Sequence, residues 1–270
     1  PRIQHQTVTL GFAPKALRFW WGSADVQDND IERQVYAWGF GVATTPGYGP
    51  NGAESIVDSA FLSCLGSANA GYTNFQSRSG CDYVAALGTH TTSGVSISAT
   101  AQLYALDSEG FTLAWTVADN SAPLKLYYLA LGGDDLTHAR ILQCATPPTT
   151  GTKSYVGTGF QPDCAILLGA RAQLPTSTTT QGVHACLGVA NGSAQAVVTQ
   201  ALDYSLSSIT TNCASHQHAN GPLTYLTANG DTSAAATLTT FDADGFTLAF
   251  TALDASARET WFWALCLKGV

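Results

Sequence analysis

Alternation of large apolar and small or polar positions is the strongest pattern along the chain. In Phe111-Thr112-Leu113-Ala114-Trp115-Thr116-Val117 the large side chains alternate with Thr and Ala, and Phe246-Thr247-Leu248-Ala249-Phe250-Thr251 does the same. A period of two predicts antiparallel strands with one face on a core. Sustained three-four spacing is scarce and β-branched and aromatic residues dominate the apolar runs, so strands rather than helices are expected. Thr7–Phe12 and Ser154–Phe160 read as first strands, Ala16–Trp21 and Ala165–Leu168 as second strands, Val35–Val42 and Gly182–Val189 as third strands. In the third strands Gly alternates with aromatic or aliphatic residues, which predicts close approach of another backbone. Leu124–Leu131 and Thr260–Leu267 are apolar on both faces and are expected to be central in a sheet or covered by a neighbour. The turn-rich connectors 118–123 and 253–258 predict that each of these last strands forms a hairpin with the strand before it.

The landmarks come twice. Gly11-Phe12-Ala13-Pro14 returns as Gly159-Phe160-Gln161-Pro162, and Asp107-Ser108-Glu109-Gly110-Phe111-Thr112-Leu113 returns as Asp242-Ala243-Asp244-Gly245-Phe246-Thr247-Leu248. In Gly-Phe-x-Pro the proline cannot donate to a ladder and restricts the residue before it, so it marks a corner. The expected fold is all-β: two tandem antiparallel β-sandwich (jelly-roll-like) domains related by internal duplication, each of about six to eight short strands. The first spans residues 1–142 and the second 154–270, with a Pro/Thr-rich linker at 143–153. A tandem pair of alike modules points to binding or assembly more readily than to one asymmetric catalytic pocket.

Composition sharpens this. Charged residues are 11% of the 270, and the net charge is −8, against about 25% charged residues in ordinary soluble domains. A surface so poor in charge does little to keep copies apart, so a homo-oligomer or assembly is expected. With 11 basic residues and no Lys/Arg cluster, a phosphate-tracking nucleic-acid surface is not expected. No apolar run approaches about 18 residues, so no transmembrane helix and no membrane insertion are expected. Residues 1–6 lack the apolar stretch of a signal peptide, consistent with a removed leader or an export route that used none. Cys64, Cys81, Cys144, Cys164, Cys186, Cys213 and Cys266 are odd in number and do not recur at matching positions. Most therefore read as small buried apolar residues rather than a disulfide framework.

Candidate chemistry is sparse. Cys213-Ala214-Ser215-His216-Gln217-His218 holds three soft ligands, but zinc needs a fourth, which His184 or Cys186 could supply only if the fold brought it there; a polar loop is the simpler account. Asp25, Asp28, Asp30 and Glu32 offer oxygens for calcium, without the glycine and flanking helices of an EF-hand, and read as a solvated loop. Asp107 with Glu109, and Asp242 with Asp244, pair carboxylates as a glycosidase does, yet each pair precedes a Gly in a tight connection and reads as turn residues. Trp20, Trp21, Tyr36, Trp38, Trp115, Trp261 and Trp263 could form a sugar-stacking platform; in apolar strand runs they read as core or interface. Asn191-Gly192-Ser193 is a formal glycosylation sequon. No nucleophile elbow, Walker loop, zinc-protease helix or dinucleotide fingerprint appears. No catalytic, cofactor-binding or metal residue is assigned, and no cofactor is expected.

The order Gly-Phe-x-Pro, apolar strand, Gly-Val-Ala, Asp-x-x-Gly-Phe-Thr-Leu and an aromatic-rich last strand resembles a repeat of bacteriophage and prophage virion proteins. Tyr127-Tyr128-Leu129-Ala130-Leu131-Gly132-Gly133-Asp134-Asp135-Leu136 before a Pro/Thr stretch carries most of it. The resemblance implies a structural, non-enzymatic role in the tail, fibre or decoration of a virion, packing on itself and on other virion structural proteins. The chain is also similar, more weakly, to the H-type lectin module, whose Gly-Phe strand and Trp-rich strand follow the same order; that similarity implies an oligomeric, secreted carbohydrate-binding module. The loops 43–53, 171–181 and 214–222 are the expected contact surfaces, meeting neighbouring subunits or a host-surface glycan.

Overall fold

The computed structural model describes residues 2–22, 35–44, 55–57, 59–69, 72–81, 83–91, 94–117, 125–170, 178–181, 183–202, 213–227, 229–253 and 260–270. Among these there is no helix; all regular structure is strand, paired antiparallel. In chain order the strands are β1 (Arg2–Thr9), β2 (Pro14–Gly22), β3 (Val35–Thr44), β4 (Ser55–Val57), β5 (Ser59–Asn69), β6 (Tyr72–Gly80), β7 (Ala85–Thr91), β8 (Gly94–Asp107), β9 (Gly110–Val117) and β10 (Leu126–Gly132). They continue as β11 (His138–Ala145), β12 (Gly151–Val156), β13 (Cys164–Ala170), β14 (Thr178–Gln181), β15 (Val183–Asn191), β16 (Gln195–Leu202), β17 (Cys213–His218), β18 (Leu223–Leu226), β19 (Thr232–Asp242), β20 (Gly245–Leu253) and β21 (Trp261–Lys268).

Four sheets result: sheet A in the order β1-β9-β8-β7, sheet B β10-β2-β3-β5-β6-β14, sheet C β17-β16-β15-β13-β21-β11-β4, and sheet D β12-β20-β19-β18. Alternation decides how they stack, because each strand sends every second side chain to one face. Leu17, Phe19 and Trp21 of β2 meet Phe111 and Leu113 of β9 between sheets A and B. Ala16 and Val42 of sheet B meet Ile141, Leu168, Trp263 and Leu265 of sheet C. Phe262, Ala264 and Cys266 of β21 meet Tyr155, Phe246 and Leu248 of sheet D. The chain is thus a four-layer stack with three apolar interlayers, A on B on C on D.

The strand order around sheets A and B, β1-β9-β8-β7 with β10-β2-β3-β5-β6, recurs around sheets D and C as β12-β20-β19-β18 with β21-β13-β15-β16-β17. The parallel extends to single residues. The hairpin register shifts between Leu103 and Ala105 in one half and between Leu238 and Thr240 in the other. A Cβ on Gly110 would lie 1.9 Å from the Val8 carbonyl oxygen, and one on Gly245 1.9 Å from that of Tyr155; no side chain fits where β1 runs beside Gly110 and β12 beside Gly245 so closely. The third strands behave as their glycines foretold, with the Val84 backbone against Gly41 and the Pro222 backbone against Gly188.

Three expectations need correction. β9 and β10 are not a hairpin, and neither are β20 and β21: β9 and β20 lie in the outer sheets A and D, while β10 and β21 cross to the inner sheets B and C. A strand apolar on both faces gains more between two layers than beside its neighbour in an outer sheet. Second, β21 is central in sheet C as expected, but β10 is an edge. Third, of residues 143–153 only 146–150 lie between strands; Gln143, Cys144 and Ala145 complete β11, buried and paired to Trp263, Phe262 and Trp261. The halves also trade strands. β4 leaves the first half to pair with β11 in sheet C, and β14 leaves the second to pair with β6 in sheet B.

Candidate functional site

β10 exposes three large apolar side chains in a row, Tyr127, Tyr128 and Leu129. Its seven residues carry no charge, and alternation divides them. Leu126 and Ala130 pack on the core between sheets A and B, where Tyr128 meets Phe111 edge-on at 5.1 Å. Tyr127, Leu129 and Leu131 take the other face, where Leu131 joins the core between B and C. On the inner side β10 pairs with β2, Tyr127 opposite Trp20 and Leu129 opposite Arg18. The Tyr127 and Trp20 rings stack, 6.0 Å apart and 11° from parallel. Tyr127 is 49% exposed, Leu129 47% and Trp20 38%. On the outer side no strand pairs with β10 among the described residues.

The matched strand β21 has the opposite surroundings. Following the β2 and β13 ladders, Tyr127, Leu129 and Leu131 correspond to Trp263, Leu265 and Leu267. Trp263 and Leu265 are 0% exposed, sealed beneath sheet B, and the lateral edge of β21 is closed by β11. The same pattern of residues is buried in one half and open in the other.

Arg18 borders the patch. Its guanidinium carbon lies 5.8 Å from the centre of the Phe40 ring, and its Nε is buried without a hydrogen-bond partner. Burial lowers the pKa of Arg18 from its ordinary value. The patch therefore offers two stacked rings, an aliphatic side chain, one cation and a strand edge that no other strand pairs among the described residues. That chemistry suits a protein strand, or the apolar face of a sugar ring.

Other candidates are committed elsewhere or fall outside the described residues. The carboxylates serve the hairpins: Thr112 donates to Asp107 Oδ2 at 3.5 Å and Thr247 to Asp242 Oδ2 at 2.6 Å, while Asp244 Oδ1 accepts the Gly159 N–H at 2.5 Å. Cys213, His216 and His218 lie on β17, an edge strand rather than a loop, whose alternation sends Cys213 to the face opposite the two histidines. His218 Nδ1 accepts the Asn220 N–H, and buried His184 bonds the Leu226 carbonyl oxygen. Cys186 is buried among apolar side chains, which pushes its thiol up to about 12. None of the seven cysteines is joined in a disulfide. Residues 25–32 lie outside the described residues, as do 45–53 and 171–177 of the expected contact loops and the side chain of Tyr36. Thr178–Gln181 is strand, not loop. Of the remaining aromatics, Trp21, Trp261 and Trp263 are buried, and Trp38 and Trp115 are partly covered.

Asn191 of the sequon is exposed and caps its own turn, its Oδ1 accepting the N–H groups of Ser193 and Ala194. It lines a polar hollow of about 550 Å³ with Gln161, Asp163, Gln195 and Thr240. The amides there are engaged within the protein, Gln161 donating to the Phe241 carbonyl oxygen and Gln195 accepting the Leu238 N–H. The exposure of Tyr127 and Leu129 was not legible in the sequence, because the pattern of β10 is that of a covered strand. No family model, curated protein or solved structure matches this chain.

Proposed function

We propose that this chain is a non-enzymatic structural subunit of a virion, of a tailed phage or related particle, that acts by oligomerising and packing on neighbouring subunits as a decoration, tail or fibre component. Its halves would be tandem β-sandwich domains related by duplication, a reading supported by the recurring strand order and the recurring bulge. The observation that carries the assembly reading is the contrast between Tyr127 and Leu129, about half exposed, and Trp263 and Leu265, fully buried at matched positions. Native edges are ordinarily blunted by charge, proline or shortness, and β10 has none of these. Low charge over the whole chain points the same way. The virion assignment rests on the resemblance of the repeat. Light scattering tests assembly, which predicts a defined multiple of 28.2 kDa. Mass spectrometry of purified particles from the source tests the virion role; absence of the chain from them would overturn it.

A second reading is favoured by the Trp20–Tyr127 pair, exposed beside Arg18. An oligomeric carbohydrate-binding protein presents such rings to a sugar face. A glycan array decides: binding lost in Trp20→Ala would favour the lectin reading, and no binding by the assembled protein would dismiss it.

A further inference from the structure

We infer that the open edge of β10 pairs antiparallel with β10 of a second copy, about a two-fold axis at Tyr128, joining two copies of sheet B into one continuous sheet. This rests on the assembly reading above and names its partner.

The second half supplies the precedent. There the matched strand β21 is flanked by β11, antiparallel, with Ile141 opposite Leu265 and Gln143 opposite Trp263. The position beside β10 is therefore one that this architecture fills with an antiparallel, largely apolar strand. Few strands in the chain fit the role. Among the described residues the other sheet edges are β1, β7, β12, β14, β17, β18 and β4. β4, β14 and β18 have four residues or fewer. β1 includes Arg2 and His5, β12 Lys153, β17 two histidines, and β7 a histidine and a glycine. Among the described side chains, β10 combines seven residues, no charge and exposed apolar groups.

β10 also complements itself. With Tyr128 opposite its own copy, Tyr127 faces Leu129 of the second copy, and Leu126 faces Ala130. Aromatic-aliphatic cross-strand pairs of this kind stabilise antiparallel ladders. The sparse charge of the chain does little to hold copies apart, and no like charges meet within the strand itself. Such a contact is isologous, so each copy's edge is consumed and the dimer closes instead of growing into a fibre.

The test uses the intact chain with Cys213→Ser, which removes the exposed thiol. Light scattering is expected to give about twice 28.2 kDa. Tyr128→Lys, which sets two cations against each other at the axis, should raise the dissociation constant at least tenfold with an unchanged circular dichroism spectrum. Leu129→Lys, on the opposite face, should do the same and guards against a local folding defect. Tyr128→Cys should be joined to its own copy by a short bis-maleimide. A dimer indifferent to both lysines and not linked through position 128 would overturn the β10 pairing and leave assembly standing through another surface. A single-chain mass at every concentration would overturn both. A single-chain mass with binding of a peptide of residues 138–145, sensitive to Tyr128→Lys, would overturn the self-pairing and show that the edge takes a foreign strand.

Discussion

Trp263 and Tyr127 occupy matched places in the two halves, so replacing each with alanine asks whether sheets B and C pack in solution as described. Trp263 is fully buried in the core between those sheets. Truncating a core Trp to Ala costs about 3–5 kcal/mol. The Trp263 indole Nε1 is buried without a partner, and an unsatisfied donor costs about 1–3 kcal/mol to bury. Part of the gain from burying the ring is therefore already offset, which places Trp263→Ala at the low end, about 3 kcal/mol. Tyr127 is half exposed and keeps chiefly its stack on Trp20. Such a pair is worth about 0.5–1.5 kcal/mol, so Tyr127→Ala should cost about 1 kcal/mol. Urea unfolding followed by far-ultraviolet circular dichroism, at a concentration where parent and variants have the mass of one chain, measures both. The slopes should agree and only the midpoints should separate. Equal losses for the two variants would refute the packing of B on C.

Three more outcomes follow from the described geometry. Gly188→Ala, whose Cβ would fall 1.7 Å from the Pro222 carbonyl oxygen, should cost about 3 kcal/mol, whereas Gly192→Ala, with open space around it, should stay within about 0.5 kcal/mol in thermal melts. Burial raises the pKa of the Cys64, Cys186 and Cys266 thiols above their ordinary value, Cys186 to about 12. Unfolded thiols release protons near pH 8.5 that the folded chain retains, so stability is complete below about pH 8. It should then fall by about 1.4 kcal/mol per pH unit for each thiol until the folded group ionises, and a urea midpoint that stays flat to about pH 10.5 would contradict this. Maleimide should label Cys213 first, while Cys64, Cys144, Cys186 and Cys266 react only on unfolding, as peptide mass mapping can check.

What the sequence disclosed, and what it hid, follow from the reach of the interactions. The Gly110 and Gly245 hairpins were legible because a tight turn and a close backbone crossing need glycine at one place, whatever lies beyond. The alternation of β9 and β20 was legible because each has one covered face. The partner of a strand was not, since period two says which side chains share a face and nothing of which ladder they join; hence β9 and β10 read as a hairpin while lying in different sheets. β11 was hidden by Pro147 and Pro148 just after it, and because burial on both faces erases alternation in Ile141-Leu142-Gln143-Cys144-Ala145. β10 was the hardest case. Its pattern is that of β21, and only the strand order sets one at an edge and the other at a centre.

The central place of β21 gives the protein a timetable. In sheet C this strand alone links β13 to β11, and through β11 to β4. Until residues 261–268 have left the ribosome, sheet C exists only as two separate pieces with raw edges, one of them belonging to the first half. The nascent chain can therefore complete sheets A, B and D while sheet C waits. A chain cut short before Trp261 would not be a slightly weaker copy of this protein, but a persistently sticky one, which is the kind of product that cellular quality control removes.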